Sequence, residues 1–286
     1  MKKVLFATTA LVLSAGVAAA DVAVSGNGRM GIVDGFTTDL AFTSRIRIAF
    51  TASGETDGGL SFGGSIRADN SGNGAAGTAG NIFISGGFGK VTMGDVDGAA
   101  EAAAGNVRGV GLTGLGDLND ASYLSNSAAG FKPTMRYDYT VSGFGVHISA
   151  DQPSATDGAT SIGFTYGGIE GLKLGLGFET RGDDDHIIVG GSYALSPSVT
   201  LAATYGQATV GGDDETQMAL SAAYTMDALT VSAYYADNEI AGTTGTEAFG
   251  LGGQYNLGGG ASVSGGWVSN ETTGNTALAL GVNFSF

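Results

Sequence analysis

Apolar and small or polar residues alternate along nearly the whole chain. In the last eleven residues Leu278, Leu280, Val282, Phe284 and Phe286 fall on one face, and Ala277, Ala279, Gly281, Asn283 and Ser285 on the other. A period of two predicts a β-strand with one apolar and one small or polar face. The pattern recurs about sixteen times. Val22 and Val24 open the first segment, and Ile46, Ile48 and Phe50 mark the second. Leu172, Leu174, Leu176 and Phe178 form the cleanest apolar face, and Phe249, Leu251, Tyr255 and Leu257 one of the longest. Many faces carry an aromatic residue near a turn: Tyr166, Phe178, Tyr193, Tyr205, Tyr224, Tyr235, Tyr255 and Trp267. Such rings suit a membrane–water boundary. An apolar strand that ends on an aromatic residue suits a sheet closing on itself in lipid.

The first twenty residues break the alternation. Lys2 and Lys3 precede an apolar run from Val4 to Val17, and Ala18-Ala19-Ala20 follows. That order predicts a cleaved secretory leader, residues 1–20, and a mature chain of residues 21–286. No later stretch has the ~18 consecutive apolar residues of a spanning helix. A membrane-inserted mature chain must therefore be a barrel, because only a closed sheet satisfies its backbone groups in lipid. The fold class expected is all-β: one transmembrane antiparallel β-barrel of about sixteen strands.

Composition adds three points. The chain has no Cys, so no disulfide holds it together. Its 52 Gly among 286 residues suit tight turns and bends. Acids outnumber bases 27 to 12, and loss of Lys2 and Lys3 leaves a mature charge of about −17. That balance argues against nucleic acid as a partner. It predicts a mild cation preference for any pore, weakening with salt.

Connectors divide into two kinds. Gly86–Gly89, Ala194–Pro197, Asp227-Ala228 and Gly258–Gly260 read as short turns. Arg181–Asp185, Gly211–Glu215 and Glu239–Gly245 read as longer polar loops on the opposite rim. One connector, residues 95–132, is far longer and does not alternate. Loops of that length are usually functional. It carries Asp95, Asp97, Glu101, Asp117 and Asp120, together with Val107, Val110, Leu112, Leu115, Leu118, Tyr123 and Leu124. The apolar residues predict packing against a barrel wall.

The bases are unevenly placed. Parity turns Arg45, Arg47 and Arg67 away from the lipid face, where each would cost ~2–4 kcal/mol at mid-membrane. Arg29 joins them on the neighbouring strand. The four should form one basic wall opposite the acidic connector, with the connector's acids as counter-charge. Facing charge rows set pore selectivity. They create a transverse field that favours polar over apolar solutes.

Three stretches carry a family resemblance. Gly86-Gly87-Phe88-Gly89-Lys90-Val91-Thr92-Met93-Gly94-Asp95 resembles a tight turn, strand and entry to a constriction loop. Tyr255-Asn256-Leu257-Gly258-Gly259-Gly260-Ala261-Ser262-Val263 resembles a penultimate hairpin, and Val282-Asn283-Phe284-Ser285-Phe286 a terminal assembly strand. The chain resembles the general diffusion porins of Gram-negative outer membranes, most closely those of photosynthetic bacteria. The resemblance implies a sixteen-stranded barrel, a homotrimer in outer-membrane lipid and lipopolysaccharide, and a third loop folded into the lumen. It puts Arg29, Arg45, Arg47 and Arg67 on the wall side of the constriction. Asp95, Asp97, Glu101, Asp117 and Asp120 then fall on the loop side. It also implies a contact between the Phe286 carboxylate and the mature N-terminus at Asp21. Calcium near the acidic loop groups is known in the family, but no liganding pattern is spelled out here. No other cofactor is implied.

Three other functions compete. An outer-membrane enzyme has only His147 and His186 as bases, with no GxSxG or metal-spaced partner. A structural barrel would use the long connector as a plug. A solute-specific sugar channel would need an aromatic slide, for which Tyr234 alone has lumen parity. The runs Asp183–Asp185 and Asp213–Glu215 suit solvated loops, or divalent ions shared with lipopolysaccharide.

Overall fold

The computed structural model describes residues 21–69, 80–126, 133–153, 157–240 and 245–286. The predicted leader and Lys132 lie outside these. Sixteen strands close into one barrel. They are β1 Asp21–Asp34, β2 Ala41–Glu55, β3 Ser61–Asp69, β4 Gly80–Gly86, β5 Gly89–Gly94, β6 Thr134–Val141, β7 Phe144–Ala150 and β8 Thr160–Tyr166. The second half comprises β9 Leu172–Arg181, β10 Asp184–Ser196, β11 Val199–Val210, β12 Asp213–Met226, β13 Leu229–Ile240, β14 Thr246–Gly258, β15 Ala261–Asn270 and β16 Asn275–Ser285. Every strand pairs antiparallel with its neighbours in sequence, and β1 pairs with β16, so no sheet edge is left open.

Parity dictates which face is which. Ile46, Ile66, Ile82, Phe164, Val189, Leu220, Leu251 and Leu280 are all exposed on the outside. Alternate residues such as Ser149, Ser161, Thr204, Ser232 and Ala279 are buried inside. An apolar outer face in a closed sheet is stable only against hydrocarbon. The aromatic residues form two girdles. Tyr166, Tyr193, Tyr224 and Tyr255 sit near the β8–β9, β10–β11, β12–β13 and β14–β15 turns, and Phe178, Tyr205, Tyr235 and Trp267 nearer the other rim. Between them a shallow apolar depression of about 810 Å³, bordered by Leu174, Leu201 and Leu220, faces the lipid. It is not the pore.

Two expectations are corrected. Arg181–Asp185 and Gly211–Glu215 are not long loops. Strand β9 runs to Arg181 and β10 resumes at Asp184, and only Gly211-Gly212 separate β11 from β12. Gly211 and Gly212 have φ of 62° and 90°, the two left-handed residues that a tight hairpin of this hand requires. The acids lie on strand ends, above the apolar band. There Asp184 accepts from the Gly211 N–H at 2.8 Å and pairs with Arg181 at 3.2 Å. The Glu239–Gly245 loop falls partly outside the described residues. The second correction concerns the chain ends. Phe286 exchanges backbone hydrogen bonds with Gly26, while Asp21 pairs with Ser53 of β2. Five extended residues, ~17 Å, separate Asp21 from that contact.

Candidate functional site: a charged segment across the inner wall

The connector between β5 and β6 makes its contacts with the inward faces of the strands. Ala99–Ala104 forms a short helix, α1. Its alanines allow close approach, and the wall beneath is glycine. A Cβ on Gly163 or Gly175 would overlap the carbonyl oxygens of Ala99 and Ala103, and one on Gly177 would lie 2.6 Å from the Ala100 Cβ. A helix leaves its first N–H groups without internal partners. Here the wall supplies them: Ala99 N–H donates to Ser149 Oγ and Ala100 N–H to Ser161 Oγ, both at 2.8 Å. Arg136 of β6 fixes the entry, donating to the Asp97 carbonyl at 2.9 Å.

After α1 the segment crosses to β12–β16. Val107, Val110, Leu112 and Leu115 are buried with Ala219, Ala236, Ala248, Val268, Ala277 and Ala279, and Leu118 packs alongside. Fully burying such a side chain contributes ~1.5–3 kcal/mol. Leu112 reaches β1 and β16, where Gly31 and Gly281 leave room for its Cδ2. Its carbonyl accepts from Arg29 Nη1 at 3.3 Å. Ser122–Ser125 returns along β9, β10 and β12.

The four arginines stand together. Arg29 faces Arg45 across β1–β2, with Arg47 one inward position further along β2, and Arg67 adds from β3. The Nε atoms of Arg29, Arg45 and Arg67 have no protein partner. The close counter-charge is a residue that sequence reasoning passed over. Asp69, with an 8% exposed side chain, pairs with Arg47 and stands 3.6 Å from Arg67. Arg67 and Asp69 share parity two residues apart, which was the available signal.

The five acids divide. Asp117 lies within electrostatic reach of Arg29, and Asp120 of Asp117. Asp95 and Asp97 instead lie at the entry, beside Gly80 of β4 and Arg136 of β6, and Glu101 lies on α1. Among the described residues no three His, Cys, Asp or Glu side chains are placed together to hold a metal ion. Tyr234 cannot serve as a sugar slide. It is 2% exposed, pressed against Gly250 beneath the segment. His147 lies between Asp138 at 2.7 Å and Thr165 at 3.3 Å, with Arg136 also on Asp138.

Asp120 is exposed to solvent at its surface, yet it lines a hollow between the segment and the wall, with Gln217 and Ala236 opposite, which removes part of its water. That desolvation, and then the charge of Asp117, pushes its carboxyl up to about 6, only partly offset by Asn119. A raised value means the group is ionised above about pH 7 and neutral well below 6. Cation preference should therefore fall as pH drops from 7.5 to 5, and Asp120→Asn should flatten that dependence. Reversal potentials across a salt gradient check it; an unchanged pH profile in Asp120→Asn would refute the assignment. Tyr123 is also raised, by burial and then by Glu101, and donates to the Gly105 carbonyl at 2.6 Å.

The family pattern described as Gram-negative porin matches residues 7–275. The chain belongs to the Gram-negative porin family. A porin of Rhodobacter capsulatus is 32% identical over 93% of this chain and all of its own length. One from Fuscovulum blasticum is 27% identical with the same coverage. A solved porin structure superposes with a TM-score of 0.81 at 29% identity, covering 93% of this chain and all of that one. This porin is thus an outer-membrane channel for passive diffusion, and its closed sixteen-stranded barrel is the family's fold.

Proposed function

We propose that the porin passes small hydrophilic solutes and ions through a constriction formed by residues 95–132. Arg29, Arg45, Arg47 and Arg67 line one side, and Asp117 and Asp120 the other. Asp95, Asp97 and Glu101 add negative charge at the entry. The observation that carries this reading is the seating of an acidic segment on the inner wall with its turn beside Arg29. Opposed charges order water across the gap, and an apolar solute must strip that water to pass. Net acidity makes the pore mildly cation-preferring.

The working unit in this reading is a homotrimer in outer-membrane lipid and lipopolysaccharide, exported with a leader of residues 1–20 that is removed. No nucleic acid is involved. A hydrolase reading would have to use the Asp138–His147–Thr165 row, but Arg136 already engages Asp138. Passive diffusion needs no chemistry from it.

Liposome swelling tests the proposal. Vesicles carrying the folded protein should swell in small sugars, more slowly in apolar solutes of equal size, and not at all in large oligosaccharides. Equal rates for polar and apolar solutes would remove the transverse field. Selective passage of one sugar would favour a solute-specific channel.

A further inference from the structure

The return arm, Ser122–Ser125, is held by a buried polar chain that conduction itself does not call for. The Ser122 N–H donates to Gln217 Oε1 at 2.7 Å, and Gln217 Nε2 donates back to the Ser122 carbonyl at 3.0 Å. Gln217 Nε2 also stands 2.9 Å from His186 Nε2. His186 Nδ1 lies 3.2 Å from Glu179 Oε2, which accepts the Leu124 N–H at 2.7 Å. Ser125 Oγ donates to the other carboxylate oxygen. The side chains of His186 and Glu179 are 1% and 0% exposed.

These bonds fix every proton. Ser122 offers one donor and one acceptor, so it sets the orientation of the Gln217 amide. Gln217 therefore points an N–H at His186 Nε2, which must carry a lone pair. The proton of the neutral imidazole then sits on Nδ1 and is donated to Glu179, which also accepts from Leu124 and Ser125. A second proton on His186 would set N–H against N–H. The amide satisfies it only by turning over, which breaks both bonds to Ser122.

We propose that Gln217, oriented by His186 and Glu179, is the positioning residue that holds Ser122–Ser125 against the wall. In this proposal protonation of His186 breaks the hold on Ser122 and loosens that end of the arm toward the pore, while Glu179 keeps Leu124 and Ser125. The groups facing His186 do not obstruct this. Glu179 on β9 favours the imidazolium, while Arg181 on the same strand opposes it; Arg181 pairs with Asp184 of the histidine's own strand and donates to the Leu124 carbonyl at 3.4 Å. Gly206 of β11 and Gln217 of β12 are uncharged. The segment presents the edge of Tyr123 at 5.8 Å, itself near Glu101 and Asp120.

The test is the frequency of brief closures in planar-bilayer recordings of the full protein at pH 8 and pH 5. Loss of two buried hydrogen bonds should raise that frequency at least about tenfold at pH 5 in the wild type. His186→Gln should be quiet at both values. Gln217→Leu should flicker at both, and Gln217→Glu, which keeps Oε1 but loses the donor, serves if the leucine variant fails to fold. Asp120→Asn should keep the acid response, which separates it from the titration of that carboxyl. A full acid response in His186→Gln, or a quiet pore in both Gln217 variants, overturns the proposal. It rests on the pore reading, and the two fail differently. Absence of any current would sink the pore, whereas steady current without an acid response would sink only the latch.

Discussion

Replacing Arg45 and Arg47 together with alanine is expected to raise cation preference and single-channel conductance. A unit charge about 8 Å from a passing ion in water contributes about 0.5 kcal/mol before screening. A Debye length of about 8 Å at 0.15 M salt cuts that to about 0.2 kcal/mol. Removing two such charges should raise local cation density about twofold and lower anion density by a similar factor. The effect should grow as salt is lowered. Asp69 adds to it. With Arg47 gone, Asp69 loses that ion pair while Arg67 stands at 3.6 Å, so negative charge is uncovered in the wall. Unchanged conductance and selectivity would place both arginines away from the narrowest point. Asp69→Asn should move the reversal potential the opposite way.

The second large effect concerns glycine. Gly175→Leu with Gly190→Leu should unseat α1 while leaving the barrel closed. A Cβ at either position already overlaps a helix carbonyl oxygen, of Ala103 and Ala104 respectively. Overpacking of this kind costs ~1–3 kcal/mol per site, more where both sides are backbone. The ladder around the barrel is unaffected, since both side chains point inward. The expected result is a folded, heat-modifiable barrel with noisy current and a larger solute cut-off in swelling assays. Gly167→Ala is the control, because nothing lies within 4 Å of its added Cβ. A quiet pore with an unchanged cut-off in the double variant would mean that α1 does not set the aperture.

These two predictions also show how much was legible in the sequence. The strands were, because period-2 alternation is a local signal and lipid outside the barrel makes it strict. The sixteen alternating segments are the sixteen strands. Parity also placed Arg45, Arg47 and Arg67 on the inner face. Asp69 was legible by the same rule but was overlooked, since attention went to the long connector for counter-charge. The short acidic hairpins were misread because polar residues above the apolar band look like loop, although they continue the ladder. The role of glycine was only half visible. Gly163, Gly175, Gly177 and Gly190 read as weak strand residues until α1 is laid over them. The alanines of α1 read as featureless until that same wall appears. Each makes sense only with its distant partner. The same holds for Glu179, His186 and Gln217, which touch residues 122–125 across up to 95 positions of sequence.

One measurement bears most directly on the claim that this barrel is an open diffusion pore with opposed charges at its constriction. Single wild-type pores in a planar bilayer should be recorded across a tenfold potassium chloride gradient. The account predicts steady, ohmic current and a reversal potential on the cation side, shrinking toward zero as both solutions are raised in concentration. A reversal potential on the anion side, or no current from barrels that migrate as folded, would contradict it.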